Sequence, residues 1–189
     1  MTYEKLHREN NVKKFVLWVS VAALIAGCAT VAVTGRSQLS LITDEQVVTM
    51  ANKSSTQIMS SYSSKGLVLN PGESAEAKET VDQVHRVATK ILDASGLRTK
   101  ANWQITVIKS DVPNASVLPN GRMFIHTGLL PVTQTEAGLA AVIGHEVAHV
   151  AARHGAERVS QIVLADAALQ GVSAAVAASR SAKYRPAID

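Results

Sequence analysis

The stretch AAVIGHEVAHVAARHGAE, residues 140–157, contains residue types that can bind a metal ion. His145 and His149 are four positions apart, so on an α-helix they lie about 40° apart around the axis and one turn apart along it. Two imidazoles in this arrangement can bind one ion from a single helix face, and zinc accepts neutral imidazole readily. The spacing therefore predicts a zinc site with His145 and His149 as metal ligands.

Glu146 occupies the position of a general base. It is one residue from His145, or about 100° around a helix, so it borders the metal without binding it. Zinc lowers the pKa of a bound water toward about 7, and a neighbouring carboxylate can accept that water's proton and later deliver it to a leaving amine. The pattern H-E-x-x-H thus predicts a metallopeptidase with Glu146 as its catalytic residue. The competing interpretation is a chance polar cluster on the solvent face of an amphipathic helix.

His154 resembles a third ligand, but its spacing argues against that role. On a continuous helix it lies about 140° around from His149 and about 180° from His145, and it could approach the metal only if the helix broke between them. We therefore expect a surface or packing residue that points away from the metal. Spacing gives no support as ligands to the remaining histidines, which are His7, His85 and His126.

Hydrophobic periodicity predicts the elements that precede the motif. Two helices are expected, the first after a capping box at Thr43, and two strands follow, the second introduced by the turn PNG. The predicted ranges are 44–62 and 73–94 for the helices, and 103–108 and 123–126 for the strands.

The motif itself is predicted to lie on one long helix. Thr133 and Glu136 have the spacing of a second capping box, and apolar residues at helical spacing continue from there to about residue 169. Together these elements predict an α+β domain, mostly helical, with a small sheet packed on the active-site helix.

The N-terminus has the pattern of an export signal. A basic stretch, KLHRENNVKK, precedes the apolar run FVLWVSVAALIAGC, which ends in small residues. The cysteine after LIAG, Cys28, resembles the lipidated cysteine of bacterial lipoproteins, which implies removal of residues 1–27 and a lipid anchor to a membrane at Cys28. An uncleaved signal anchor is the alternative, because residues 15–35 carry no charge.

Composition limits the classes of function. The 189 residues carry a formal charge of +4 and no dense basic stripe, so nucleic acid is not expected as a partner. A single cysteine excludes an intrachain disulfide. The composition does not indicate an oligomeric state.

Several motifs together resemble one family. LAAVIGHEVAHVAARHGAER, with NASVLPNGRMFIHTGLL upstream and VTGRSQLSLI after the cysteine, is similar to the exported lipoprotein branch of the HtpX-like zinc metallopeptidases, in peptidase family M48. The resemblance implies a gluzincin fold, in which the edge strand of a small sheet takes up the substrate backbone. It assigns zinc binding to His145 and His149, catalysis to Glu146, and the substrate-side strand to residues 114–124.

The third zinc ligand of this family is a glutamate on a later helix, in an E-x-x-x-D pattern. The last glutamate of this chain is Glu157, which on a continuous helix lies some 12 Å along the axis from His149. We therefore expect the third ligand beyond Asp189, and residues 44–189 to be the N-terminal part of a longer peptidase domain that follows a tether at 28–43. As it stands, the chain is predicted to bind zinc weakly, to have little peptidase activity, and to expose apolar surface along IVLADAALQGVSAAVAA.

Two functions remain open from the sequence, beside a weaker third interpretation as a membrane-anchored helical domain in which the motif occurs by chance. The first is a zinc metalloendopeptidase that cleaves protein or peptide substrates, and the family branch implies misfolded proteins of the bacterial cell envelope, with the protein facing the periplasm from the outer membrane rather than the inner. The second is an envelope lipoprotein without catalysis, which binds other proteins as a scaffold.

Overall fold

The computed structural model describes residue 14 and residues 28–183, with side chains placed to residue 174 in the last helix. The predicted signal segment, residues 1–27, therefore lies almost wholly outside the described residues. The described chain divides into two compact units, one formed by residues 42–156 and the other by the described residues on either side of them. Within the described residues, no helix combines the length and the apolar character needed to cross a membrane.

The first of the flanking segments contains a β-hairpin where a tether or extended arm was expected. Strand β1 (Cys28–Thr30) pairs antiparallel with β2 (Ser37–Leu39). The turn between them has Gly35 at φ +65°, in the left-handed region that glycine adopts at least cost.

The central unit begins with two helices whose ends agree with the sequence to within two residues. Helix α1 (Asp44–Ser64) opens with the predicted capping box, in which Thr43 and Gln46 satisfy each other's backbone N–H groups. Helix α2 (Ala75–Ser95) is capped by Ser74 and ends at Gly96, which has a left-handed conformation.

A three-stranded sheet follows, with the order β3-β5-β4. Strand β3 (Gln104–Ile108) runs parallel to β5 (Arg122–His126), and β4 (Ala115–Val117) pairs antiparallel with β5. The predicted PNG turn joins β4 to β5 in an antiparallel hairpin that does not include β3. Periodicity did not predict β4, because its three residues are too short to show alternation, although the family resemblance placed the substrate-side strand and its approach within residues 114–124.

Strand β5 is buried on both faces because helices cover both sides of it. Met123 and Ile125 belong to the main core, with α2 on that side of the sheet. Phe124 and His126 alternate to the opposite face, where the ring of Tyr62 from α1 lies against both of them. The sheet is therefore packed between α1 on one face and the helices of the main core on the other.

The last helices differ from the single long helix that was predicted. A 3₁₀ turn (Thr127–Leu129) leads into the short helix α3 (Leu130–Thr133), and α4 (Glu136–Ala151) carries the H-E-x-x-H motif. Helix α5 (His154–Lys183) begins only after a break. The mostly helical architecture with small sheets confirms the predicted α+β class.

Candidate metal centre

The start of helix α4 is fixed by a cap ten residues before His145, almost three turns from the motif. Thr135, and not the predicted Thr133, is the N-cap, because its hydroxyl accepts the N–H of Gly138 at 3.0 Å. Thr133 instead closes α3 and donates its hydroxyl hydrogen to carbonyls of the preceding turn. A Cβ on Gly138 would lie 2.3 Å from the carbonyl oxygen of Thr133, so glycine permits this close approach of α3 to α4.

An ion pair adds to the same helix end. Glu136, in the first turn of α4, accepts hydrogen bonds from the guanidinium of Arg86 on α2. That contact lowers the pKa of the Glu136 carboxyl and raises the pKa of Arg86. A carboxylate at a helix N-terminus also interacts favourably with the helix dipole.

The apolar face of α4 determines where the motif points. Leu139, Ile143 and Val147 are fully or almost fully buried in the main core at spacings of four. Each motif histidine follows one of these core residues by two positions, or about 200° around the helix. His145 and His149 therefore lie on the face directed away from the core, where a ligand can reach them.

The two motif histidines meet through the nitrogens that a metal would use. Nε2 of His145 lies 3.0 Å from Nε2 of His149, and their rings stand at 78° to each other. Two imidazole nitrogens on a tetrahedral zinc, each about 2.0–2.1 Å from the ion, would lie about 3.3 Å apart. A shift of a few tenths of an ångström would therefore accommodate zinc between them, so the donor set fits the ion.

Glu146 completes the group. It is half-buried, and its carboxylate oxygen and the two histidine nitrogens all lie within 4.8 Å of one another. The structure thus brings together the three residues that the sequence assigned to the site, and in the described part of the chain they form the group with metal-binding geometry.

His154 does not point away from the site, contrary to the prediction. Helix α4 ends at Ala151, and Arg153 takes a left-handed conformation with φ +55°. The chain turns there, and Nδ1 of His154 lies 2.6 Å from Nδ1 of His149. The prediction was wrong because it assumed an unbroken helix, and no glycine or proline marks the break.

Two contacts stabilise the turn at Ala152–Arg153. The guanidinium of Arg153 donates to the carboxylate of Asp44 at the start of α1. At the beginning of α5, a Cβ on Gly155 would lie 3.2 Å from the ring of Pro119, so the absence of a side chain lets the helix start approach that loop. These contacts help to hold His154 beside His149.

The other candidate residues lie elsewhere. Nε2 of His126 lies 3.1 Å from the Tyr62 hydroxyl, on the face of the sheet that α1 covers. His85 is exposed on α2, where it lines a separate cavity of about 660 Å³. Glu157 forms an ion pair with Arg36, and Cys28 is exposed at the start of β1. Lipidation of Cys28 stays a prediction.

The fold and the site define a class of protein. A helix with two metal-facing histidines and an adjacent glutamate, packed against a small sheet, is the arrangement of a metallopeptidase active site. Residues 78–187 match the model of Peptidase family M48, which covers more than half of the chain. The chain belongs to peptidase family M48, and the predicted family is confirmed at that level.

Curated relatives agree with this assignment. Over 111 residues, 59% of the chain, it is 38% identical to the mitochondrial metalloendopeptidase OMA1 of Schizosaccharomyces pombe. Over 134 residues, 71% of the chain, it is 32% identical to the mitochondrial metalloendopeptidase OMA1 of Homo sapiens. The matched regions span 31% and 25% of those relatives, so the chain corresponds to less than a third of their length.

The names of these relatives contradict the predicted location and support the predicted family without its predicted branch. The predicted location in a bacterial cell envelope, facing the periplasm, is wrong by this comparison, because the matched relatives are named as mitochondrial proteins. They carry the OMA1 name, so they support the family without supporting the exported lipoprotein branch. The prediction of a metalloprotease agrees with both the family and the names of the relatives.

Proposed function

We propose that this protein is a zinc-dependent metalloendopeptidase that cleaves unfolded protein chains. The observation that carries the proposal is the 3.0 Å approach of the two Nε2 atoms, with the Glu146 carboxylate within 4.8 Å of both. His145 and His149 would hold the zinc. When bound, zinc supplies Lewis-acid chemistry, by polarising the scissile carbonyl and making water acidic enough to lose a proton near neutral pH.

Glu146 performs the proton transfers. Its carboxylate oxygen accepts the proton of the attacking water and then donates it to the nitrogen of the leaving amine. Its side chain is half-buried, and one of its oxygens lies within 4.8 Å of the ligand nitrogens of both histidines. General acid–base catalysis of this kind contributes roughly 10²- to 10⁴-fold to a rate.

Substrate binding is assigned to the outer edge of β4. The N–H of His126 donates to the carbonyl of Asn114, and the N–H of Leu118 donates to the carbonyl of Arg122. The backbone N–H and C=O groups of even-numbered residues in and beside β4 therefore face β5. By alternation, the backbone N–H and C=O groups of Ala115 and Val117 face the outer edge. Helix α4 packs against β4, so a peptide added as a further strand would lie beside the metal centre.

The assay for catalysis is cleavage of unfolded casein at saturating zinc. Glu146→Gln keeps the size of the side chain but removes its basic oxygen, so we expect the rate to fall by roughly 100-fold or more while zinc occupancy stays unchanged. Cleavage that survives the substitution would exclude Glu146 from the mechanism. Casein binding of the same affinity with and without zinc, with no cleavage above the Glu146→Gln background, would favour the scaffold function instead.

The assay for the substrate edge uses proline at two neighbouring positions. Val117→Pro removes an outward N–H, so we expect binding of a labelled casein peptide to the Glu146→Gln protein to weaken by about 2- to 10-fold, the equivalent of one hydrogen bond. Ser116→Pro removes an inward N–H and should lower the free energy of unfolding. Because the Val117 side chain packs against the main core, Val117→Pro should lower it as well, so the affinities are compared where both variants are folded. Unchanged peptide affinity in Val117→Pro would contradict this assignment.

A further inference from the structure

The ring of His149 is in contact through both of its nitrogens, and the two contacts have different geometry. Its Nε2 faces Nε2 of His145 at 3.0 Å, whereas its Nδ1 faces Nδ1 of His154 at 2.6 Å. The His149 and His154 rings lie 4.8 Å apart between centroids and are tilted by 51°. His154 therefore approaches the side of His149 that is turned away from His145.

The distances determine which of the two gaps suits a metal ion. Two nitrogens on one zinc lie about 3.3 Å apart, so the 3.0 Å gap needs a small opening and the 2.6 Å gap a much larger one. A nitrogen pair at 2.6 Å is instead a short hydrogen bond, in which one ring donates and the other accepts. His154 is thus a hydrogen-bond partner of His149 and not a ligand of the same ion.

Proton placement follows from this geometry. A neutral imidazole carries one proton, and only the nitrogen without it can bind a metal. If Nε2 of His149 is the ligand, its proton must lie on Nδ1, which then donates to Nδ1 of His154. His154 must in turn carry its own proton on Nε2. The contact therefore selects the metal-binding tautomer of His149 and fixes the plane of its ring.

We propose that His154 is a positioning residue for the metal centre, which holds His149 in the tautomer and orientation that zinc binding requires. The inference rests on the proposed function in one respect, since it takes His149 as a zinc ligand. The break at Ala152–Arg153 turns the chain so that His154, five positions after His149, lies beside the ring of His149. Partners that orient metal-binding histidines typically contribute 10- to 100-fold in metal affinity.

Two substitutions separate positioning from direct binding. His154→Leu removes the acceptor, and we expect zinc affinity, measured by competition with a chromophoric chelator, to fall by roughly 10- to 100-fold. His154→Asn places its Oδ1 near the position of Nδ1 and can still accept the hydrogen bond, so we expect affinity within a few fold of the wild type. His154 is exposed, so both variants should keep the fold, which circular dichroism would verify.

A second measurement does not depend on zinc at all. In the metal-free 189-residue chain at about pH 8, nitrogen chemical shifts should show His149 protonated on Nδ1 in the wild type and in His154→Asn. The preference should be lost in His154→Leu. A wild-type chain that binds no zinc but shows this tautomer would contradict the proposed metal site without contradicting the contact between His149 and His154.

Three results would overturn the proposal. The first is unchanged zinc affinity in His154→Leu. The second is an equal loss in His154→Asn and His154→Leu, which would indicate that His154 is itself a ligand. The third is a His149 tautomer that does not respond to either substitution.

Discussion

At the scale of single residues, the metal centre depends on which nitrogen of each ring is available. His145 and His149 direct Nε2 toward each other, and His154 occupies the remaining nitrogen of His149. The contact between His145 and His149 could be predicted, because H-E-x-x-H on a helix determines its own geometry. The contact between His149 and His154 could not, since it depends on a left-handed arginine, a conformation that costs non-glycine residues about 1–2 kcal/mol and has no sequence signal here.

The Arg86–Glu136 pair predicts a specific pH dependence of stability. Contact with Arg86 lowers the pKa of Glu136 below its ordinary value of 4.5. A carboxyl with a lowered pKa in the folded state stabilises that state above its ordinary pKa, and this contribution is lost as the pH falls through the lowered value. We therefore expect Glu136→Gln to flatten the acid side of the stability profile, below about pH 4.5, as measured by urea unfolding.

The effect should be small because both side chains are largely exposed. Glu45→Gln, in the first turn of α1 and outside this ion pair, is the matched control. An acid profile that is identical in wild type and Glu136→Gln would show that the pair contributes nothing measurable.

At the scale of elements, the close approach of α3 to the first turn of α4 accounts for one glycine. Gly138→Ala would bring a Cβ within 2.3 Å of a backbone carbonyl oxygen, so we expect destabilisation of about 1–3 kcal/mol in chemical unfolding. Gly144→Ala in the same helix meets nothing closer than 4.0 Å and should be neutral or stabilise by up to about 1 kcal/mol. Equal effects in the two variants would contradict this account of the helix start.

Long amphipathic elements were predictable and the short or interrupted ones were not. Helices α1 and α2 carry caps and apolar faces over many turns, so local sequence determines them. Strand β4 and the short helix α3 are specified by pairing and packing with distant residues. The Thr133 cap was misplaced by two residues because Thr135 offers the same hydroxyl in a backbone conformation that suits a cap.

At the scale of the whole molecule, helix α5 presents a long apolar surface. Its exposed large hydrophobic residues, 40–65% accessible, are Ile162, Val163, Leu164, Leu169 and Val172. This agrees with the exposed apolar surface that the sequence predicted for this stretch. Ile162, Leu169 and Val172 lie within about 80° of one another around the helix, so they share one face, and an exposed apolar face favours self-association.

Leu169→Glu should therefore reduce concentration-dependent association in sedimentation velocity. Gln161→Glu, on the same helix, adds the same charge without removing an apolar side chain and is the control. An equal reduction in both variants would attribute the effect to charge and not to the apolar surface.

The role of His149 as a zinc ligand is tested most directly by the zinc affinity of the chain. This affinity is measured by competition with a chromophoric chelator in the wild type, His149→Ala and His85→Ala. We predict one weakly bound zinc per chain, an affinity at least about 100-fold lower in His149→Ala, since losing a ligand costs more than losing its supporting partner, and no change in His85→Ala, whose ring lies outside the metal group. Zinc affinity that is the same in His149→Ala and in the wild type would show that His149 is not a zinc ligand.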